Sequence, residues 1–160
     1  MNTLLRALLL LAAVCTAPAW AQVKIENAWA RATVQGQKAT GAFMKLTAPQ
    51  ATRLVAVSTP VAGVSEIHEM KMDNGVMKMR ALPALELPAN QAVELQPGGY
   101  HLMLMDLKAP LAKDGSIALT LTFKDAKGVE SRQQVSVPVT TGMPQGHMQG
   151  HSHGPAEHKH

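Results

Sequence analysis

The chain has 160 residues, 46% of them hydrophobic and 16% charged, with a formal net charge of +4. That is enough for one domain of ordinary size with a core that stands without staples. Lys and Arg are scattered rather than run together and aromatic residues make up only 3%, so nucleic-acid binding is excluded as a leading function.

Residues 1–21 read as a secretory signal peptide. Arg6 supplies a positive start, Ala7 to Val14 an apolar stretch too short to span a bilayer, and Ala19-Trp20-Ala21 a small-x-small cleavage site before Gln22. Cys15 follows Ala12-Ala13-Val14, which ends in Val where a lipoprotein signal wants Gly or Ala. The expectation is a soluble protein exported to the periplasm, without a membrane span, with a lipid anchor as the minor alternative. Removing residues 1–21 takes away Arg6, Met1 and the single Cys, leaving a net charge of +3 (+4 less one) and nine Met (ten less one). In an oxidising compartment a thiolate site risks conversion to disulfide, which thioethers cannot form.

The rest reads as short strands. Val23 to Thr33 lacks helical period and leads to a loop at Gln35 to Lys38; Trp29 within it is expected in the core. Thr40 to Thr47 is a strand ended by Ala48-Pro49, and Thr52 to Ser58 another, stopped by Pro60. Val64 to Ala81 is a hairpin, because alternating runs flank Asp73-Asn74-Gly75 and Asn-Gly is the preferred pair of a type I′ turn. That turn sets Met72 opposite Met77, Met70 opposite Met79 and His68 opposite Ala81. By alternation His68, Met70, Met72, Met77 and Met79 share one face, with Glu69, Lys71, Lys78 and Arg80 on the other.

Pro83, Pro88 and Asn90 mark a connection, followed by a short strand at Ala92 to Leu95 and a turn at Pro97-Gly98-Gly99. Tyr100 to Leu107 sets His101, Met103 and Met105 against Leu102 and Leu104, which suits a strand interior to a sheet. Ser116 to Lys124 is a half-buried strand, Lys127-Gly128 a turn, and Val129 to Val139 the last strand. Many short strands with Gly and Pro turns argue an all-β, antiparallel sandwich or barrel. The domain is expected over 22–140, and 141–160, rich in Gly, Gln, His and Met, as a disordered tail.

Six of the nine Met that follow the signal lie between positions 70 and 105, and two His share their strand faces. A purely apolar core would not favour His there, because a buried imidazole needs partners. Imidazole and thioether are both metal ligands, and the soft thioether selects monovalent copper. His68, Met79, His101 and Met103 are therefore candidate Cu(I) ligands. In the tail, His147, His151, His153, His158 and His160, with Met143 and Met148, suit Cu(II).

The spacing of those four residues, ten between His68 and Met79, twenty-one between Met79 and His101 and one between His101 and Met103, resembles the signature of the PCuAC periplasmic copper chaperones. The segments Ala28 to Thr33, Asp73 to Arg80 and Gly98 to Asp106 are also similar to that family, over roughly residues 23 to 139. The resemblance implies a cupredoxin-like β-barrel and a Cu(I) site at His68, Met79, His101 and Met103. It further implies delivery towards the binuclear site on the copper-bearing subunit of cytochrome c oxidase, alongside a Sco-type thiol protein. Met70 and Met77 are auxiliary candidates, although a water-excluding collar of Met70, Met72, Met77 and Met105 is the simpler reading. A monomer is expected. No enzyme motif is present, and a blue-copper carrier needs a Cys thiolate. The rival reading is a periplasmic sequestration protein that stores copper.

Overall fold

A computed structural model describes residues 22–143. The expected signal peptide (1–21) and all of the tail beyond Met143, including its five His and Met148, lie outside the described residues. Ten strands follow in order: β1 (Lys24–Arg31), β2 (Ala39–Thr47), β3 (Thr52–Ser58), β4 (Ala62–Asp73), β5 (Val76–Leu82), β6 (Leu85–Leu87), β7 (Ala92–Leu95), β8 (Tyr100–Leu107), β9 (Ser116–Asp125) and β10 (Glu130–Thr140). Among the described residues there is no helix long and apolar enough to cross a membrane.

The strands hydrogen-bond in the order β5-β4-β8-β7-β2-β1-β10-β9-β3-β6, with β8 also paired to β2. The order does not close on itself, so the fold is an open sandwich rather than a closed barrel. Nor is it wholly antiparallel: β1 runs parallel to β10, and β7 touches β8 in parallel. β1 and β10 lie far apart in the chain, so no tight turn imposes opposite directions on them. β7 and β8 are joined by a short turn, but each runs antiparallel to β2, one along Met44–Thr47 and the other along Ala39–Ala42, and so they share a direction. β6, which sequence reading leaves inside a connection, adds a three-residue edge beside β3.

One hydrophobic cluster joins the two halves. Leu46, Leu102 and Leu104 come from β2 and β8, and Leu54, Leu119, Leu121 and Phe123 from β3 and β9. Alternation on β8 then decides what faces outward: with Leu102 and Leu104 fully buried in the cluster, His101 and Met103 lie on the outer face. Trimming Leu102 to Ala is expected to cost about 2–5 kcal/mol, measured by urea unfolding, with the outward-facing residues left in place.

Trp29 is buried at 3% exposure, yet it stands apart from that cluster. The register between β1 and β2 slips between Glu26 and Trp29, where three steps along β1 match two along β2, and Asn27 in this bulge has φ 52°. The extra residue reverses alternation. Trp29 therefore joins Glu26 on the outer face, where it stacks on Phe43 at 4.5 Å between ring centroids.

Candidate metal centre

The outer face gathers its chemistry in rows across the strands. The Asn-Gly turn of the β4–β5 hairpin has φ 50° at Asn74 and 78° at Gly75, as a type I′ turn requires. It sets His68 opposite Ala81, Met70 opposite Met79 and Met72 opposite Met77, the register read from the sequence. On its other side β4 pairs with β8, and there His68 stands directly opposite His101. The two strands are far apart in the chain, so this pairing is a product of the fold alone.

Both imidazoles are buried at 7% exposure. Their ring centroids are 5.6 Å apart and the planes meet at 66°. With an imidazole–metal bond of about 2.0–2.1 Å, an ion sits roughly 3.2 Å from each centroid, and 5.6 Å then corresponds to an angle of about 120° at the ion. The pair is spaced to share one ion.

Hydrogen bonds settle which nitrogens are free. His68 Nε2–H donates to Glu66 Oε2 at 2.7 Å, because a carboxylate can only accept. The lone pair of His68 is thereby left on Nδ1, which is buried and has no hydrogen-bond partner. His101 Nδ1–H donates to the Gly99 carbonyl at 3.2 Å, leaving the lone pair on Nε2. A carboxylate or carbonyl behind each ring is how proteins orient metal-binding His. An orphaned buried nitrogen is costly unless something comes to occupy it.

Met79 and Met103 flank the pair diagonally. Met79 lies on β5 opposite Met70, one row outward from His68, and is half exposed at 49%. Met103 lies one row inward on β8, opposite Glu66 and Gly41, and is partly buried. Diagonal neighbours on antiparallel strands are within reach of long side chains. Among the described residues no group of three or more His, Cys, Asp and Glu stands close enough to hold a metal ion. The further soft donors that the strand register sets beside the His pair are the thioethers of Met79 and Met103.

The collar expected of Met70, Met72, Met77 and Met105 does not form. β8 begins at Tyr100, opposite Glu69, so the hairpin beyond Met70 has no neighbouring strand on that side. Met72 and Met77 are consequently exposed, at 59% and 43%. Met70 and Met105 are partly buried, and Met143 is exposed just after β10. Water exclusion comes instead from an aromatic wall that sequence reading does not find. Phe43 lies 6.4 Å from the His101 ring, Trp29 backs Phe43, and Arg31 caps it with Cζ 5.7 Å from the ring centroid. Gly41 makes room for that ring, since a Cβ there would stand 2.7 Å from Phe43 Cζ. Glu66 was legible in principle, because it lies two residues before His68 and so on the same face.

Burial holds the pKa of His101 below the ordinary imidazole value; the Gly99 carbonyl opposes the shift and the nearby His68 adds to it. The folded chain thus binds fewer protons here than the unfolded chain, between the lowered pKa and about 6.5. Stability falls as pH drops through that window and is level again below the folded pKa. Thermal unfolding of the metal-free protein from pH 7.5 to 5.5 is expected to show a falling Tm, with a flatter profile in His101→Gln.

Known proteins share this architecture. The fold is similar to the copper-bound PCuAC domain from PmoF2, with TM-score 0.58 and 24% identity over 74% of this chain and 92% of that one, a likeness that shows the fold. It is also similar to CuI-DR1885 from Deinococcus radiodurans, with TM-score 0.56 and 29% identity over 77% and 83% of the two chains. These PCuAC neighbours are cupredoxin-like, and so is this chain. In sequence, "Putative lipoprotein Lxx21020" from Leifsonia xyli subsp. xyli is 35% identical over 118 residues, 73% of this chain and 69% of its own. Residues 23–139, nearly the whole described domain, match the family described as "Putative lipoprotein LpqE-like", and the chain belongs to that family.

Proposed function

We propose that this protein is a periplasmic copper chaperone that binds Cu(I) through His68, Met79, His101 and Met103. The observation that carries the reading is the His68–His101 pair, side by side with one buried nitrogen unpartnered and thioethers on both diagonals. The soft donor set favours Cu(I) over harder divalent ions, and the solved relatives named above are copper-bound or CuI forms. The lipoprotein names of the family and its curated relative support export.

Delivery is favoured over storage by the uneven burial of the ligands. Both imidazoles are buried, while Met79 is half exposed on the edge strand β5. An incoming thiolate can displace the Met79 thioether first, bind the ion from the solvent side, and then replace the remaining ligands in turn. No electron moves and no proton need leave a thioether. The acceptors we propose are a Sco-type thiol protein and the binuclear copper site of cytochrome c oxidase, with the His-rich tail (141–160) as a Cu(II)-capturing arm. The test is anaerobic mixing of the Cu(I)-loaded chain, without residues 1–21, with a Sco-type acceptor. Net transfer within minutes is expected; copper that stays put for hours would overturn delivery and leave storage.

A further inference from the structure

The hairpin continues past the His pair for two more rows, and the outer face of both rows is methionine. Met70 pairs with Met79 and Met72 with Met77. Met72, Met77 and Met79 are exposed. Folding does not require this. The ion pairs across these strands, Lys78 to Asp73 at 2.5 Å and Arg80 to Glu69 at 2.7 Å, lie on the opposite face, and the exposed methionines Met72, Met77 and Met79 are not part of the buried core.

We propose that Met70, Met72 and Met77 form a second, thioether-only site for a soft monovalent cation at the end of the hairpin, from which Cu(I) passes inward to the His pair. The proposal rests on the Cu(I) reading of the His68–His101 site. Directly paired residues on antiparallel strands have Cβ atoms about 4.5–5.5 Å apart, and the three rotatable bonds of Met let two sulfurs turn towards one ion. Rows on one face repeat about every 6.8 Å. A cation leaving Met72 and Met77 therefore meets Met70 and Met79 one row in, and His68 and His101 one row further. Met79 belongs to both steps, since it is the partner of Met70 and the outermost ligand proposed for the His site. Each transfer exchanges one thioether for another donor, without change of oxidation state. Three neutral thioethers bind more weakly than a set with two imidazoles, which gives the ladder its inward direction.

The experiment is a titration of the chain without residues 1–21, labelled with ¹³C at the Met methyl groups, with Ag(I) as a redox-inert soft probe. The first equivalent is expected to move the Met79 and Met103 methyls, and the next one or two to move Met72, Met77 and Met70. In the double variant Met72→Leu, Met77→Leu the later shift at Met70 is expected to vanish while the first event is unchanged. The metal-free methyl spectrum reports that the variant is folded. Met72 and Met77 methyls that stay still through three equivalents would overturn the second site. So would shifts there that saturate together with Met79 in the first equivalent, which would mean one joint site. Met79 and Met103 methyls that never move, with Met72 and Met77 moving, would sustain the outer site and overturn the ligand set proposed for the His pair.

Discussion

His68→Leu is expected to abolish high-affinity Cu(I) binding, weakening it by more than 100-fold, while making the metal-free protein more stable. His68 buries an imidazole whose Nδ1 finds no partner, and an unsatisfied buried polar atom costs about 1–3 kcal/mol. Leucine removes that atom and still fills the space beside Ala81 and His101. Glu66 loses its hydrogen bond in the variant, but its side chain is 43% exposed and water can take over. A net gain of about 1 kcal/mol follows, read by urea unfolding of the metal-free protein. Opposite signs for stability and for metal affinity mark a site built for binding rather than for packing. A variant destabilised as much as an ordinary core mutant would mean that His68 is held for structure.

The second large effect is at Glu66, a positioning residue for His68. Its carboxylate holds the proton on Nε2 and so keeps the lone pair on Nδ1. Glu66→Ala is expected to lower Cu(I) affinity about 10- to 100-fold, the usual consequence of losing a partner behind a metal-binding His. Glu66→Gln keeps a neutral acceptor and should fall between Ala and the wild type. A merely structural role would not change the His68 tautomer, so ¹⁵N spectra of the metal-free protein separate the two: Nε2–H in the wild type, a mixture in Glu66→Ala. Unchanged tautomer and affinity would remove Glu66 from the site.

Local signals carried the sequence reading as far as the hairpin. Asp73-Asn74-Gly75 sets the turn, the turn sets the register, and alternation puts His68 and the Met residues on one face, all within twenty residues of chain. What could not be read is what depends on strands meeting across the chain. Nothing local pairs His68 with His101, sends β1 parallel to β10, or ends β8 short of the hairpin so that Met72 and Met77 stay wet. Trp29 is buried as expected, but not in the main core: the bulge after Glu26 reverses alternation and turns it onto the outer face. The resemblance to PCuAC chaperones implies the cupredoxin-like fold, and the strand order shows that the sheet stays open where a closed barrel is expected.

The Cu(I) site is tested by anaerobic competition against a chromophoric chelator, with the chain lacking residues 1–21 and with the same chain carrying Met79→Ala and Met103→Ala. One tight Cu(I) per wild-type domain, weakened by several orders of magnitude in the double variant, is the result predicted by a site of two imidazoles and two thioethers. Equal affinity in the two proteins would contradict it, and would mean that these thioethers hold no copper.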